Sequence, residues 1–135
     1  MILIDSSFRG KLLTHFYLNV LRTCTSTNDI AIKNAQKGLP EGTSYLSYIQ
    51  TKGRGRNNNQ WESMKGNLFL STIFRPTVSK VKWHQLSIII GLSILETLIN
   101  LGVDKKIIEL KWPNDVLVQK SKISGVLLES FDDFI

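Results

Sequence analysis

Apolar residues follow a two-residue period in some stretches and a helical period in others, and the switches between the two mark out the elements. Over 12–21, Phe16, Tyr17 and Val20 mix with polar residues in a strand-favouring run, which predicts an opening strand. Ile30, Ala31, Asn34 and Ala35 then recur at helical spacing until Gly38 and Pro40 stop them, predicting a helix over 27–37. Ser26 heads it with Asp29 three residues on, a capping box in which Asp replaces the usual Glu or Gln. The Tyr-, Thr- and Ile-rich stretch 43–50 predicts a second strand, and the three asparagines at 57–59 predict a loop. Over 67–75 the alternation sets Leu68, Leu70, Thr72 and Phe74 on one side of a third strand.

Apolar residues cover most of the circumference of 81–101, which predicts a helix buried against a sheet, capped by Gly102. A short strand over 107–112 ends at Pro113, and 116–118 with 123–128 read as a hairpin turning over 119–122. The order is strand, helix, two strands, long helix, strand, hairpin. It predicts an α+β fold, a mixed β-sheet with helices packed on one face.

Composition narrows the function classes. At 135 residues and 42% hydrophobic content, the chain fits one domain with a core. The net charge of +6 suits nucleic acid, acidic proteins or nucleotide phosphates without choosing among them. Cys24 is the sole cysteine, so no internal disulfide forms and a reducing compartment is expected. Acid and base stand too early in 1–11 for a secretory signal, and the apolar run 86–95 is too short to span a bilayer. The expectation is a cytoplasmic protein without membrane association.

The candidate chemistry lies in four places. In Lys52-Gly53-Arg54-Gly55-Arg56 the glycines free backbone N–H groups for an anion, and an extended chain would set residues 52, 54 and 56 along one wall. A solvated basic loop, or loose contact with RNA phosphates, accounts for the segment equally well. Lys111-Trp112-Pro113-Asn114-Asp115 predicts a buried Trp fixing an extended backbone before Pro, then turn hydrogen bonds; a plain strand-end turn fits the same string. Lys111 at a strand end, where ligand sites concentrate, favours function. Lys122 falls in the predicted turn, with Gly125 in a strand interior, where glycine marks a bulge or a close ligand approach. Ser26-Thr27-Asn28 offers hydroxyl, amide and N–H groups at a helix start, and Trp61 is either core or a cover for a base. His15 and His84 lack metal or triad spacing and read as structural; no Cys/His metal cluster exists in the sequence.

Together these segments resemble the catalytic domain of biotin–protein ligases (biotin–[acetyl-CoA-carboxylase] ligases). The strings, in family order, are Ser26-Thr27-Asn28, Gln50 with Gly53-Arg54-Gly55-Arg56, Trp61, Gly66-Asn67-Leu68, Lys111-Trp112-Pro113-Asn114-Asp115, and Lys122 with Gly125. They run from about residue 23 to 129. The resemblance implies the fold shared by lipoyl ligases and class II aminoacyl-tRNA synthetase cores. It makes 1–135 the N-terminal part of the catalytic domain, incomplete, without the C-terminal β-domain. No DNA-binding helix-turn-helix fits before residue 23, so no DNA is expected.

By that resemblance, biotin and ATP give biotinyl-5′-adenylate and pyrophosphate, and a lysine of a biotin carboxyl carrier domain then takes the biotin. Ser26, Thr27, Asn28 and Gln50 would bound biotin's ureido end. Gly53, Arg54, Gly55 and Arg56 would form the loop over biotin and the adenylate. Lys122, with Arg56 the catalytic pair, would bridge biotin's carboxyl and the α-phosphate, and Gly125 would permit close approach. Arg54, Arg56, Trp61, Lys111 and Asn114 would serve the adenylate. Mg²⁺ would ride mainly on the phosphates, with few or no protein ligands, and the resemblance leaves room for a homodimer. The loop departs from the family at 57–59, where asparagines replace a further Gly and Arg, implying a weaker phosphate grip or a looser closed state of the loop. The rival readings are a biotin-binding fragment without turnover, a lipoyl ligase or transferase of the same fold, and a basic RNA-binding module.

Overall fold

The computed structural model describes residues 16–135, which fall into two compact units. Residues 12–15 of the expected opening strand, His15 and the amino-terminal stretch 1–11 lie outside the described residues. The α+β reading holds, and the strands are shared between two three-stranded sheets, one mixed and one antiparallel.

The first unit holds β1 (Tyr17–Leu21), α1 (Thr27–Gln36), β2 (Thr43–Ser47) and β3 (Phe69–Thr72). β1 and β2 run parallel with α1 as their crossover, and β3 pairs antiparallel to β2, Tyr45 opposite Ser71. Ala31 and Ala35, one turn apart on α1, let the helix lie close against Tyr45 and Ile73, and Phe134 completes this core. Gly38, at φ +86°, ends α1 as the sequence predicts: its N–H bonds the Ala35 carbonyl and the Leu39 N–H bonds that of Asn34. Arg75 adds to this end, donating to the Ala35 and Leu39 carbonyls at 2.9 and 3.1 Å while its guanidinium lies over the Phe134 ring.

Two expectations change in this unit. The alternation of β3 is real, but Phe69, Ser71 and Ile73 face inward, and Leu68 is 73% exposed. Alternation sets the two faces without saying which one meets α1. Nor does the capping box form. Ser26 stands at the N-cap without a side-chain cap bond, and the Thr27 N–H is taken by Gln50 Oε1 at 2.7 Å.

The second unit holds α2 (Leu86–Asn100), β4 (Ile108–Lys111), β5 (Asp115–Val118) and β6 (Ser121–Gly125). The predicted long helix begins as a 3₁₀ segment, Lys80–Gln85, before α2. α2 packs on β4 and β5 through small residues: Ser87 and Gly91 are buried, and a methyl added at Gly91 would just touch Leu110. Ile88, Ile89, Leu92 and Ile99 stay exposed among the described residues, contrary to the expected all-round burial. The reason is steric: the helix approaches closest where side chains are smallest, and that stripe is polar and glycine.

The hairpin also differs from expectation. Gln119 and Lys120 both have positive φ (50° and 63°), a two-residue type I′ turn. Lys122 therefore lies in β6, opposite Leu117, rather than in the turn. A register shift between Val116 and Leu117 follows, and Gly125 closes the strand opposite Asp115 instead of sitting in its interior.

Candidate functional site

In the first unit the polar residues singled out from the sequence gather at the head of α1. Ser26 and Thr27 are 2% and 4% exposed. The Thr27 hydroxyl donates to Gln50 Oε1 at 3.0 Å and accepts from the Ser71 hydroxyl at 2.8 Å. Ser71 Oγ also meets Asn28 Oδ1. The Ser71 hydroxyl thus links the Thr27 hydroxyl and the Asn28 side chain at one point. Ser71 was not among the residues singled out. It lies 44 residues from Thr27, and only its pairing opposite Tyr45 brings it here.

The glycine–arginine segment does not run extended. Its backbone folds back, with the Trp61 N–H on the Gly53 carbonyl at 2.9 Å and Arg54 paired antiparallel to Gln60. The expected extended run over 52–56 is not kept: Arg56 opens a 3₁₀ turn, Arg56–Asn58, in which Asn57 takes φ 56°. The 57–59 loop is where the sequence predicts one. Gly53 is buried, and an added Cβ would stand 2.8 Å from the Trp61 carbonyl oxygen, 3.1 Å from Gln50 Nε2 and 3.2 Å from Ser63 Oγ. Only glycine fits. Arg54 Nη1 reaches Asp29 Oδ1 at 2.5 Å and Ser26 Oγ at 3.4 Å, while the Trp61 ring is on the surface.

The second unit carries Gly55, Arg56, Lys111, Asn114, Lys122 and Gly125. The string 111–115 makes the β4–β5 turn, through a cis Trp112–Pro113 peptide, with Lys111 paired to Asp115. Trp112, in the turn between β4 and β5, is 80% exposed, not buried. Asn114 clamps the chain beyond β6: its side-chain amide donates to the Val126 carbonyl and its own carbonyl accepts the Val126 N–H, both at 2.9 Å. Its Oδ1 accepts from Arg56 Nη1 at 3.4 Å. Lys122 Nζ lies 2.7 Å from Asp115 Oδ1, an ion pair that the diagonal placement across β5 and β6 permits. Asp115, also not singled out as a site residue, thus holds the lysine expected to do chemistry. A shallow cavity of about 90 Å³ beside the turn is lined by Ser87, Gly91, Leu110, Trp112, Pro113 and Asn114.

Chemically, the first cluster is a set of short, mutually bonded hydroxyl and amide groups suited to a polar ring, with one guanidinium at its edge. The second is a set of cations on a rigid hairpin, suited to carboxylate or phosphate. Among the described residues no group of three His, Cys, Asp or Glu side chains gathers to hold a metal ion, and no helix is long and apolar enough to cross a membrane.

Comparison with known proteins agrees with this chemistry. The profile of the Biotin/lipoate A/B protein ligase family matches residues 20–132. The chain belongs to this family. It is 33% identical over 109 residues to the Bifunctional ligase/repressor BirA of Bacillus subtilis (strain 168), covering 78% of this chain and 32% of that protein. It is 34% identical to the Biotin--[acetyl-CoA-carboxylase] ligase of Paracoccus denitrificans over 82% of this chain and 46% of the relative. Among solved structures it resembles the biotin protein ligase from Aquifex aeolicus in complex with biotin and ATP. That match has a TM-score of 0.75 and 35% identity over 87% of this chain and 48% of the other. The chain thus spans from about a third to a half of the length of these relatives.

Proposed function

We propose that this chain is a biotin–protein ligase catalytic segment, residues 1–135 forming the N-terminal part of that domain. It activates biotin with ATP to biotinyl-5′-adenylate and passes biotin to a lysine of a biotin carboxyl carrier domain. The observation that carries this reading is the bonded relay of Ser71, Thr27 and Gln50, closed by the buried Gly53, in a chain of this family. A ureido ring carries two N–H donors and one carbonyl acceptor. The relay and the neighbouring Ser26 and Asn28 offer matching partners in a place already shielded from water.

In the second unit Lys122 and Arg56 are the proposed catalytic cations, with Lys111 and Asn114 serving the adenylate and Gly125 allowing close approach. Attack of a carboxylate on a polyphosphate accumulates negative charge, which fixed cations stabilise. Lys122 is held ready by Asp115, and Arg56 by Asn114. In the first unit Arg54 serves as an anion ligand and Trp61 as a surface for the base. Asp29 and Asp115 are each engaged by a cation, no group of metal-ligating side chains gathers among the described residues, and Mg²⁺ is proposed to arrive on the phosphates and neutralise them. A cytoplasmic location, an acceptor in a biotin-dependent carboxylase and a homodimer belong to the same reading.

The test is pyrophosphate release when the purified chain meets biotin and Mg-ATP, followed by transfer of labelled biotin to a carrier domain. Release that depends on biotin supports the proposal; its absence, with biotin still binding in calorimetry, supports the second reading, a biotin-binding segment without turnover. Competition by lipoate would move the substrate to the lipoyl side of the family.

A further inference from the structure

The shallow cavity beside the β4–β5 turn is apolar although polar side chains border it. Ser87 donates its hydroxyl to the His84 and Pro113 carbonyls at 2.9 and 3.1 Å. Asn114 is engaged by Val126, and Asp115 by Lys122. The surface left open is that of Ile88, Leu110 and Trp112, 40%, 39% and 80% exposed, and Gly91 adds no side chain to fill the space. At about 90 Å³ the cavity is well below the roughly 300–1,000 Å³ of small-molecule pockets and suits one apolar side chain. A tryptophan bordering a small apolar pocket is the residue type that anchors protein–protein contacts.

Charge and position select the partner. Over 104–122 five lysines stand against three acids, of which Asp104 accepts the Lys106 N–H and Asp115 pairs with Lys122. Lys105, Lys106, Lys111 and Lys120 are exposed, so a surface laid over this sheet meets cations and is matched by carboxylates. A second copy, itself of net charge +6, is a poor match. Two residues that line the cavity also hold the proposed catalytic cations: Asn114 accepts from Arg56 at 3.4 Å, and Asp115 from Lys122 at 2.7 Å. A domain seated in the cavity thus stands next to those cations. We propose that the cavity docks the acceptor of the ligase reaction. One apolar side chain of the carrier domain packs against Ile88, Leu110 and Trp112, and carboxylates of the same domain meet the lysines of the sheet. The proposal rests on the ligase reading given above.

The experiment titrates a biotin carboxyl carrier domain, its lysine unmodified, into the full chain and its variants by calorimetry, without biotin or ATP. Gly91→Ala puts a methyl at the cavity, 3.5 Å from Leu110 and so in ordinary contact, and alanine suits a helix interior better than glycine. Its affinity for the carrier domain is expected to fall about ten-fold, as is that of Trp112→Ala. Pyrophosphate release from biotin and Mg-ATP stays at the parent rate in Gly91→Ala. Ile88→Glu is expected to weaken binding more than Ile88→Lys, which loses the same apolar group and keeps a matching charge. Unchanged affinity in Gly91→Ala and Trp112→Ala overturns the docking site, and equal losses in the two Ile88 variants overturn the acidic partner. A higher ATP requirement in Gly91→Ala gives the cavity to the nucleotide, and a parent dimer that Gly91→Ala dissolves in sedimentation gives it to a second copy; either overturns the proposal. Failure of the parent to bind the carrier domain overturns it too, whatever the pyrophosphate assay shows. Carrier binding that obeys these variants without pyrophosphate release sinks the turnover and leaves the docking site standing.

Discussion

The two units hold their polar residues in opposite ways. At the head of α1, Ser26, Thr27, Gln50 and Ser71 are held by one another, buried, and closed by a glycine with no room for a methyl group. On the β4–β5–β6 sheet, Lys111, Trp112 and Lys122 are placed by backbone, through a tight turn, a type I′ hairpin and a register shift, and of these Lys122 is also ion-paired to Asp115. Their tips reach solvent. Groups of the first kind cannot be removed without leaving an unsatisfied partner, whereas groups of the second kind can be trimmed with the scaffold intact. Loss of binding and loss of stability should therefore travel together in the first unit and separate in the second.

The sharpest break of that comparison is Lys122→Ala. Adenylate formation should fall by orders of magnitude while thermal stability changes by about 1 kcal/mol or less, because the Asp115 pair is partly exposed. A variant releasing pyrophosphate at the parent rate would sink the lysine's role. Next comes Gly53→Ala, whose methyl meets a backbone carbonyl at 2.8 Å. Overpacking of this sort costs about 1–3 kcal/mol, read as an earlier denaturation midpoint with weaker biotin binding.

Gln50→Ala should cost about 1–2 kcal/mol, since it strips the cap from the Thr27 N–H and the acceptor from its hydroxyl. Its counterpart Lys111→Ala, at an exposed position, should stay within about 0.5 kcal/mol in the same urea titration. Equal losses at the two sites would erase the contrast. The smallest effect belongs to Tyr45. Burial pushes its hydroxyl above the ordinary 10.0, a shift partly offset by the bond to Asn34. Protonated tyrosine is thus favoured in the folded state, so stability is full below pH 10.0 and declines as pH rises past it. Tyr45→Phe should flatten that alkaline decline in pH-dependent melting.

Much of this was legible in the order of residues. Helix α1 was bracketed at both ends because Gly38 can adopt the left-handed turn that stops it. β4 and the hairpin were likewise placed to within a few residues, and the motif strings pointed to the family. What escaped was always a matter of side or partner. The inward face of β3, the exposed apolar side of α2 and the open Trp112 ring depend on what packs opposite, which a period cannot tell. The short type I′ turn that puts Lys122 in β6 is not legible in the sequence, because Gln119-Lys120 lacks the Asn-Gly signal of such a hairpin.

Sequence by itself determined the succession of elements, the helix stops and the cations and small hydroxyls offered for chemistry, because these follow from local torsions and residue type. Tertiary structure decided who bonds whom. Asp29 went to Arg54, Gln50 to the head of α1, Ser71 to Thr27 and Asp115 to Lys122. Strand register and loop return set those pairings, and the electrostatics of a buried or half-buried group depend on the neighbour that register delivers.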